Sequence, residues 1–189
     1  MKGAAVMLTA FGLGHLRPAP GTWGSMPPAA AALVLAVLLG LNGLGAADHW
    51  IINGVLILFV LVSSYACAAW GDWAEAWYGG KDPSQVVADE VAGQAVVLLA
   101  LPWRAIVEDG ALRWEALWFN IIAAATAFLA FRLFDIVKPP PARQVQAWPS
   151  GWGILVDDIF AGVYALIVTQ VLVRLVWGPL VMGASAQAG

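Results

Sequence analysis

The sequence predicts an all-α protein: an integral membrane helical bundle with about five membrane-embedded helices and a polar site facing the cytoplasm. Hydrophobic residues make up 61% of the 189 residues and charged residues only 11%, against about 25% in soluble domains. No Asp, Glu, Lys or Arg stands between Arg17 and Asp48, or from Trp50 to Gly71. A soluble domain of this size could not bury so much apolar surface, so the bilayer is its expected solvent.

Five apolar segments are expected to cross the membrane. The first two are long enough to span by themselves, whereas the later three are short or marginal unless charged residues at one end are included. Residues 4–14 are apolar but short, which suits a surface or re-entrant helix. The length suits a single domain over residues 1–189. The predicted spans are 27–45, 50–70, 84–103, 115–134 and 157–181.

The connecting segments predict the orientation. With five spans, the N-terminus and the segments 71–83 and 135–156 share one side of the membrane. This side carries more basic residues than the other, which has Arg104 and Arg113, so the positive-inside rule places it in the cytoplasm. Its basic residues are Lys2, Arg17, Lys81, Lys138 and Arg143. The net charge of −3 gives no indication of nucleic-acid binding, and no obligate protein partner is evident.

The first polar motif on the cytoplasmic side is Pro-Gly-Thr-Trp-Gly-Ser at residues 20–25. Gly and Pro allow a tight turn with exposed N–H groups, and Thr22 and Ser25 add hydroxyls. Such a turn before a helix is a plausible phosphate cradle, with Gly24 among its residues. An ordinary helix-entry turn with Ser25 as N-cap is at least as good an interpretation of this motif alone.

The second motif covers residues 82–93. Asp82 is expected to cap a helix that starts at Pro83 and places Asp89 and Glu90 about two turns in, near the bilayer boundary. Gly93 would clear space beside both carboxylates, because it follows them by four and three residues. A solvated acidic pair is the alternative, and the valines around the pair argue against it.

The third motif covers residues 131–143 and combines acid and base at helical spacing. Arg132, Asp135 and Lys138 follow one another at intervals of three, so they should lie on one helix face. A simple salt-bridged helix end explains the spacing equally well. The prolines that follow Lys138 should end the helix, and Arg143 comes just after them.

The fourth motif covers residues 151–162, where Asp157 and Asp158 are expected at the head of the last helix. Capping explains one aspartate there but not two. Together the motifs bring up to five carboxylates and three cations to one membrane face. Carboxylate oxygens, together with a substrate phosphate, are typical ligands of Mg²⁺. The three cationic side chains could bind the phosphate oxygens. The expected metal ligands are Glu90, Asp135, Asp158 and Asp89, and the expected phosphate-binding cations are Arg132, Lys138 and Arg143.

These four motifs, in this order, resemble the phosphatidylglycerophosphatase A family from about Phe11 to Tyr164. The resemblance implies an all-helical, Mg²⁺-dependent phosphatase of the bacterial inner membrane. Its substrate would be the membrane lipid phosphatidylglycerophosphate, and its products phosphatidylglycerol and inorganic phosphate. Ala88 departs from the family pattern, which commonly has Trp there, and Pro140 stands where an aromatic residue is common.

Other chemistries fit the sequence less well. Cys67 has no Arg six residues later, which a cysteine phosphatase loop requires, and a phosphohistidine mechanism needs a better pair than His15 and His49. A cation or proton carrier would need polar residues through the midplane. A phosphatase of the same fold could act on an isoprenoid phosphate instead. The expected nucleophile is a metal-activated water with Asp89 or Asp157 as general base, and an aspartyl-phosphate intermediate is the alternative.

Overall fold

The computed structural model describes residues 2–149 and 151–181 and shows an all-α membrane bundle. A short 3₁₀ turn precedes the second helix, and a two-stranded hairpin of β1 (Val107–Glu108) and β2 (Ala111–Leu112) precedes the fifth. The last helix passes through a π-helical turn, Leu172–Trp177, and continues to Val181. The helices are α1 (Lys2–Leu8), α2 (Pro20–Gly40), α3 (Ala46–Tyr78), α4 (Ala88–Val97), α5 (Trp114–Val137), α6 (Ala142–Val145) and α7 (Gly151–Val171).

Four helices, α2, α3, α5 and α7, are long and apolar enough to cross a membrane. The prediction of a fifth spanning helix over 84–103 is wrong, because α4 has only 10 residues. The chain leaves the helical conformation at Ala100, whose φ is +55°. The proline at position 102 prevents the helix from resuming, since Leu101 before it disfavours the helical region and the proline itself lacks the N–H donor.

The segment after α4 nevertheless continues to the opposite end of the bundle. Helices α2 and α7 begin at the same end of the bundle, which we call the motif end. We call the opposite end the far end. At the far end the Ile106 amide donates to the Gly40 carbonyl at 3.2 Å. Asn120 pairs with the backbone of Arg104 through two hydrogen bonds of 2.9 Å each. The chain therefore passes between the two ends five times, with α4 and an irregular segment as the third pass.

Polar side chains from neighbouring helices satisfy the irregular backbone of this third pass. Asn53 accepts a hydrogen bond from the Ala100 amide at 2.8 Å, and Arg174 donates to the Ala100 carbonyl at 3.0 Å. Gln170 donates to the Leu99 carbonyl at 2.9 Å. Non-helical backbone at membrane depth is tolerated where protein groups supply its hydrogen bonds, and these three side chains meet that condition.

Several helix boundaries differ from the predicted ones and move the motifs relative to the helices. Helix α2 begins at Pro20 and α7 at Gly151, so their motifs lie within helices rather than before them. The predicted helix start at Pro83 with Asp82 as cap is also wrong, since α4 starts at Ala88. Asp82 instead lies in a turn and accepts a 3.5 Å hydrogen bond from the Gln146 side chain. Asp89 and Glu90 consequently lie in the first turn of α4.

Glycines allow α4 to pack closely between its neighbours. A Cβ atom on Gly93 would lie 2.7 Å from the Asp158 carbonyl oxygen, and one on Gly162 would lie 2.6 Å from the Gly93 carbonyl oxygen. Helices α4 and α7 therefore touch through their backbones, an arrangement that small residues permit in membrane bundles. The residues 4–14 form the short α1 and a turn, and the Leu8 carbonyl accepts the Val87 amide at 2.9 Å. This packing determines where the polar residues of α4 and α7 meet.

Candidate active site

Three carboxylates from two helices form a cluster at the motif end. Asp89 and Glu90 belong to α4 and Asp158 to α7, and one oxygen of each lies within 4.8 Å of the others. Asp158 is 1% exposed and Asp89 5%. The direct contact of α4 with α7 brings together acids that are almost 70 residues apart in sequence. We call these three residues the carboxylate cluster.

The carboxylate cluster fits a divalent cation. Asp89 Oδ1, Glu90 Oε2 and Asp158 Oδ2 are buried, and none of them has a hydrogen-bond partner among the described residues. Burying unpaired carboxylates side by side is costly unless a positive charge or a proton compensates for them. Carboxylate oxygens are also the ligands that Mg²⁺ prefers. The donor set therefore matches a hard divalent cation.

Asp135 lies beside the carboxylate cluster rather than in it. Its Oδ2 atom is 2.8 Å from Arg132 Nη1, and its Oδ1 atom is 3.7 Å from Lys138 Nζ. Both contacts confirm the predicted helical spacing of this motif. The expected set of four metal ligands is thus divided: Asp89, Glu90 and Asp158 come together, whereas Asp135 pairs with the two cations.

Lys138 connects α5 to the acidic pair of α7. Its ammonium group forms an ion pair with Asp157 and lies 3.7 Å from Asp158 Oδ1. Burial alone would lower the pKa of Lys138, but the carboxylates of Asp158, Asp157 and Asp135 outweigh that effect and raise it. Lys138 therefore remains protonated at any physiological pH. It supplies a fixed positive charge beside the carboxylate cluster.

Helix α2 closes the other side of the site through its first turns. A Cβ atom on Gly21 would lie 2.2 Å from Glu90 Oε1 and 3.0 Å from Arg132 Nη1, so a larger residue would displace these side chains from their present positions. Ser25 is fully buried, donates to the Gly21 carbonyl at 2.8 Å and accepts a 3.5 Å hydrogen bond from Arg132. The hydroxyl of Ser25 thus helps to orient the guanidinium group.

The predicted cradle of free N–H groups over residues 20–25 is wrong. These residues form the start of α2, and the amides of Thr22 and Trp23 donate to the Ala19 carbonyl at 3.0 and 3.4 Å. A Cβ on Gly24 would meet the Val87 side chain at 2.6 Å, so Gly24 serves the packing of α2 on α4. The Thr22 hydroxyl makes no hydrogen bond within the described part of the chain.

Two more residues complete the survey of the site. Arg143 is exposed on α6, and it forms no ion pair within residues 2–149 and 151–181.

Gln94, which sequence reasoning missed, lies one turn after Glu90 on α4 and is fully buried. Neither of its amide atoms has a partner among the described residues. Gln94 is the one side-chain amide in the Ala/Val-rich sequence of α4, and this unusual position could have indicated it from the sequence.

Comparison with known proteins places the chain in a family. The family model for phosphatidylglycerophosphatase A matches residues 6–173. A Haemophilus influenzae protein named phosphatidylglycerophosphatase A is 35% identical, over 86% of this chain and 84% of its own length. An Escherichia coli protein of the same name is 29% identical, over 84% and 76%. A Bacteroides thetaiotaomicron protein, provisionally named phosphatidylinositol-3-phosphatase, is 35% identical over 86% and 89%.

No solved structure is significantly similar to this chain. The family match spans all four polar motifs, the carboxylate cluster and both cations that border it. This coverage, together with the relatives, shows that the chain belongs to the phosphatidylglycerophosphatase A family.

Proposed function

We propose that this protein is a Mg²⁺-dependent phosphatase that converts phosphatidylglycerophosphate into phosphatidylglycerol and inorganic phosphate. The reaction would take place at the cytoplasmic face of a bacterial inner membrane. One observation carries the proposal: the carboxylate cluster has buried, unpartnered oxygens and lies beside two cations, Arg132 and Lys138. Phosphate monoester hydrolysis requires carboxylates that can hold a metal and cationic side chains that can bind the phosphate.

Asp89, Glu90 and Asp158 would hold the metal. When bound, Mg²⁺ would neutralise charge on the phosphate oxygens and lower the pKa of a water molecule. The carboxylate cluster alone carries up to three negative charges, and it would repel a phosphate monoester that itself carries about two near neutral pH. A bound cation would therefore compensate the negative charge of the carboxylate cluster and reduce its repulsion of the phosphate.

Arg132 and Lys138 would bind the phosphate oxygens that face away from the carboxylate cluster. Arg132 offers two donors in a fixed plane, and Asp135 and Ser25 hold that plane in place. Lys138 is held by Asp157, so its charge stays at the edge of the cluster. In this arrangement Asp135 and Asp157 are positioning residues. Charge on the transferred phosphoryl group would be neutralised without movement of the protein.

We favour Asp89 over Asp157 as the general base. Asp157 forms an ion pair with Lys138, whereas Asp89 forms no ion pair among the described residues. Asp89 would remove a proton from a water molecule. As the proton leaves, the water oxygen bonds to phosphorus and the bond from phosphorus to the glycerol oxygen breaks. The leaving glycerol oxygen takes up the proton that Asp89 removed, so the reaction balances without a covalent enzyme intermediate. Inversion at a chiral phosphate would support this direct displacement, and retention would contradict it.

A second substrate deserves a test because of the Bacteroides relative. That protein is named for phosphatidylinositol 3-phosphate, and it is as similar to this chain as the Haemophilus one. Both lipids carry a phosphate monoester on a polar headgroup above two acyl chains. The site residues described here contact only the monoester in the proposed mechanism, so they do not distinguish the two headgroups.

Phosphate release from purified protein in detergent micelles tests the proposal. With phosphatidylglycerophosphate we expect release in the presence of Mg²⁺, none after chelation with EDTA, and recovery when Mg²⁺ is restored. Phosphatidylinositol 3-phosphate and an isoprenoid phosphate are assayed in parallel at matched concentrations. Release that persists in EDTA would contradict the metal requirement, and a strong preference for either of the other lipids would reassign the substrate.

Cysteine labelling in intact bacterial cells tests the orientation. Cys67 is buried and is first replaced by serine, which leaves a background without reactive thiols. Arg143→Cys introduces a thiol at the motif end and Asp109→Cys one at the far end, both at exposed positions. We expect a membrane-impermeant maleimide to label position 109 from outside and position 143 only after the cells are opened. The opposite pattern would invert the proposed topology.

A further inference from the structure

We propose that an apolar groove beside the carboxylate cluster holds one acyl chain of the lipid substrate, an inference that rests on the proposed function. The groove has a volume of about 650 Å³ and lies between the turn after α1 and the helices α2, α3 and α4. Its wall is apolar except for Ser63. The residues on which the argument depends are Phe11, Pro27, Leu58, Val62, Ser63 and Val91. We call this feature the acyl groove.

The acyl groove is lined by residues that closely follow site residues on two helices. Val91 lines the groove and directly follows Glu90 on α4, and Pro27 lines it two residues after Ser25 on α2. The same two helices thus present polar residues to the site and apolar ones to the groove. A molecule that occupies both must carry a phosphate at one end and a hydrocarbon at the other.

The groove runs in the direction that an acyl chain must take. Its wall on α3 extends from Ser63 to Val55, away from the motif end. Eight residues of helix at 1.5 Å each give a length of roughly 12 Å. A lipid whose headgroup reaches the carboxylate cluster at the motif end would direct its chains the same way, toward the middle of the bilayer.

The groove is open to the surrounding lipid. Leu58 is 59% exposed and Val62 38% exposed on a helix that is long enough to span the membrane. Phe11 is 82% exposed at the rim, and its φ of +59° is unusual for a bulky residue. The Phe11 amide donates to the Val6 carbonyl at 2.7 Å, which holds this conformation. A lipid could therefore enter sideways without leaving the membrane.

Filling the groove tests this inference, with Val62→Trp as the variant. Leu61→Trp is the matched control, because Leu61 is the preceding residue on α3, is 62% exposed and does not line the groove. Each protein is assayed with dioleoyl phosphatidylglycerophosphate in micelles and with the deacylated headgroup in water. We expect Val62→Trp to lower kcat/KM for the acylated substrate about tenfold more than for the headgroup, a typical effect of a changed hydrophobic pocket. Leu61→Trp should leave the ratio unchanged.

A second readout does not depend on turnover. Phosphatidylglycerol with a photoreactive acyl chain is added to the wild-type protein, and the labelled residues are identified by mass spectrometry. We expect labels at Leu58, Val62 and Phe11 in excess over Leu61, and fewer labels from phosphatidylcholine with the same chain.

The two readouts separate failure of the inference from failure of the proposed function. Equal losses on both substrates, or equal labelling of Leu61 and Val62, would overturn the acyl groove and leave the phosphatase intact. Equal labelling by both lipids would identify the groove as a site for ordinary bilayer lipid and would overturn the inference. If the wild-type protein hydrolyses neither substrate, the proposed function fails, and the labelling alone decides the groove.

Discussion

Replacing Asp158 with asparagine is expected to lower Mg²⁺-dependent phosphate release by on the order of 10²-fold or more. Asp158 is the member of the carboxylate cluster that comes from α7, and it is 1% exposed. Asparagine keeps the volume of the side chain but removes one of the negative charges that would hold the metal. Phosphate release measured over a range of Mg²⁺ concentrations should show a weakened response to the metal as well as a lower maximum.

Asp72→Asn is the matched control, because Asp72 is an exposed aspartate near the motif end of α3. It should behave like the wild-type protein. Thermal unfolding in detergent distinguishes a lost function from a lost fold, and we expect Asp158→Asn to remain folded, since it removes charge repulsion among buried acids. Full activity of the Asp158→Asn protein would exclude this residue from the site.

Exchange of Arg132 for lysine is expected to reduce kcat/KM by about 10- to 100-fold. Arg132 contacts Asp135 on its own helix and Ser25 on α2, and its planar group offers several donors at once. Lysine keeps the charge but is a single point of positive charge, so it cannot reproduce these contacts and bind two phosphate oxygens. Loss of one hydrogen bond to a charged group, worth roughly 1.5–3 kcal/mol, accounts for the expected range.

Arg174→Lys is the control for this exchange. Arg174 lies toward the far end, where it donates to Gln170 and to the Ala100 carbonyl, and it has no contact with the carboxylate cluster. Its replacement should affect stability slightly and leave kcat/KM unchanged. If Arg132→Lys were as active as Arg174→Lys, then the planar donor group of Arg132 would have no part in phosphate binding.

The long apolar segments and the i, i+3 motif were predictable because both depend on local properties. Hydrophobic length and charge predicted an all-α membrane bundle, and the structure confirms this class. The spacing of Arg132, Asp135 and Lys138 predicted their ion pairs, because helix geometry alone brings such residues together. The end of this helix at the proline run was also predictable, since proline cannot continue it.

Two of the wrong predictions concern residues whose conformation is ambiguous in sequence. Proline and glycine at residues 20–25 are compatible with a tight turn and equally with the first turn of a helix, where proline is favoured. The 84–103 segment has the composition of a spanning helix, but α4 ends at Val97, and side chains of α3 and α7 stabilise the irregular remainder. Neither alternative can be chosen without knowing which groups surround the backbone.

By itself, the sequence determined that this chain is a helical membrane protein with acids and bases at one end, because hydrophobicity and helical periodicity are read from neighbouring residues. Only the tertiary structure decided which acids meet. Asp89 and Glu90 join Asp158 because the glycines of α4 and α7 allow their backbones to touch, whereas Asp135 is held aside by Arg132 and Lys138. Such pairings depend on distances between helices, and no local pattern encodes those distances.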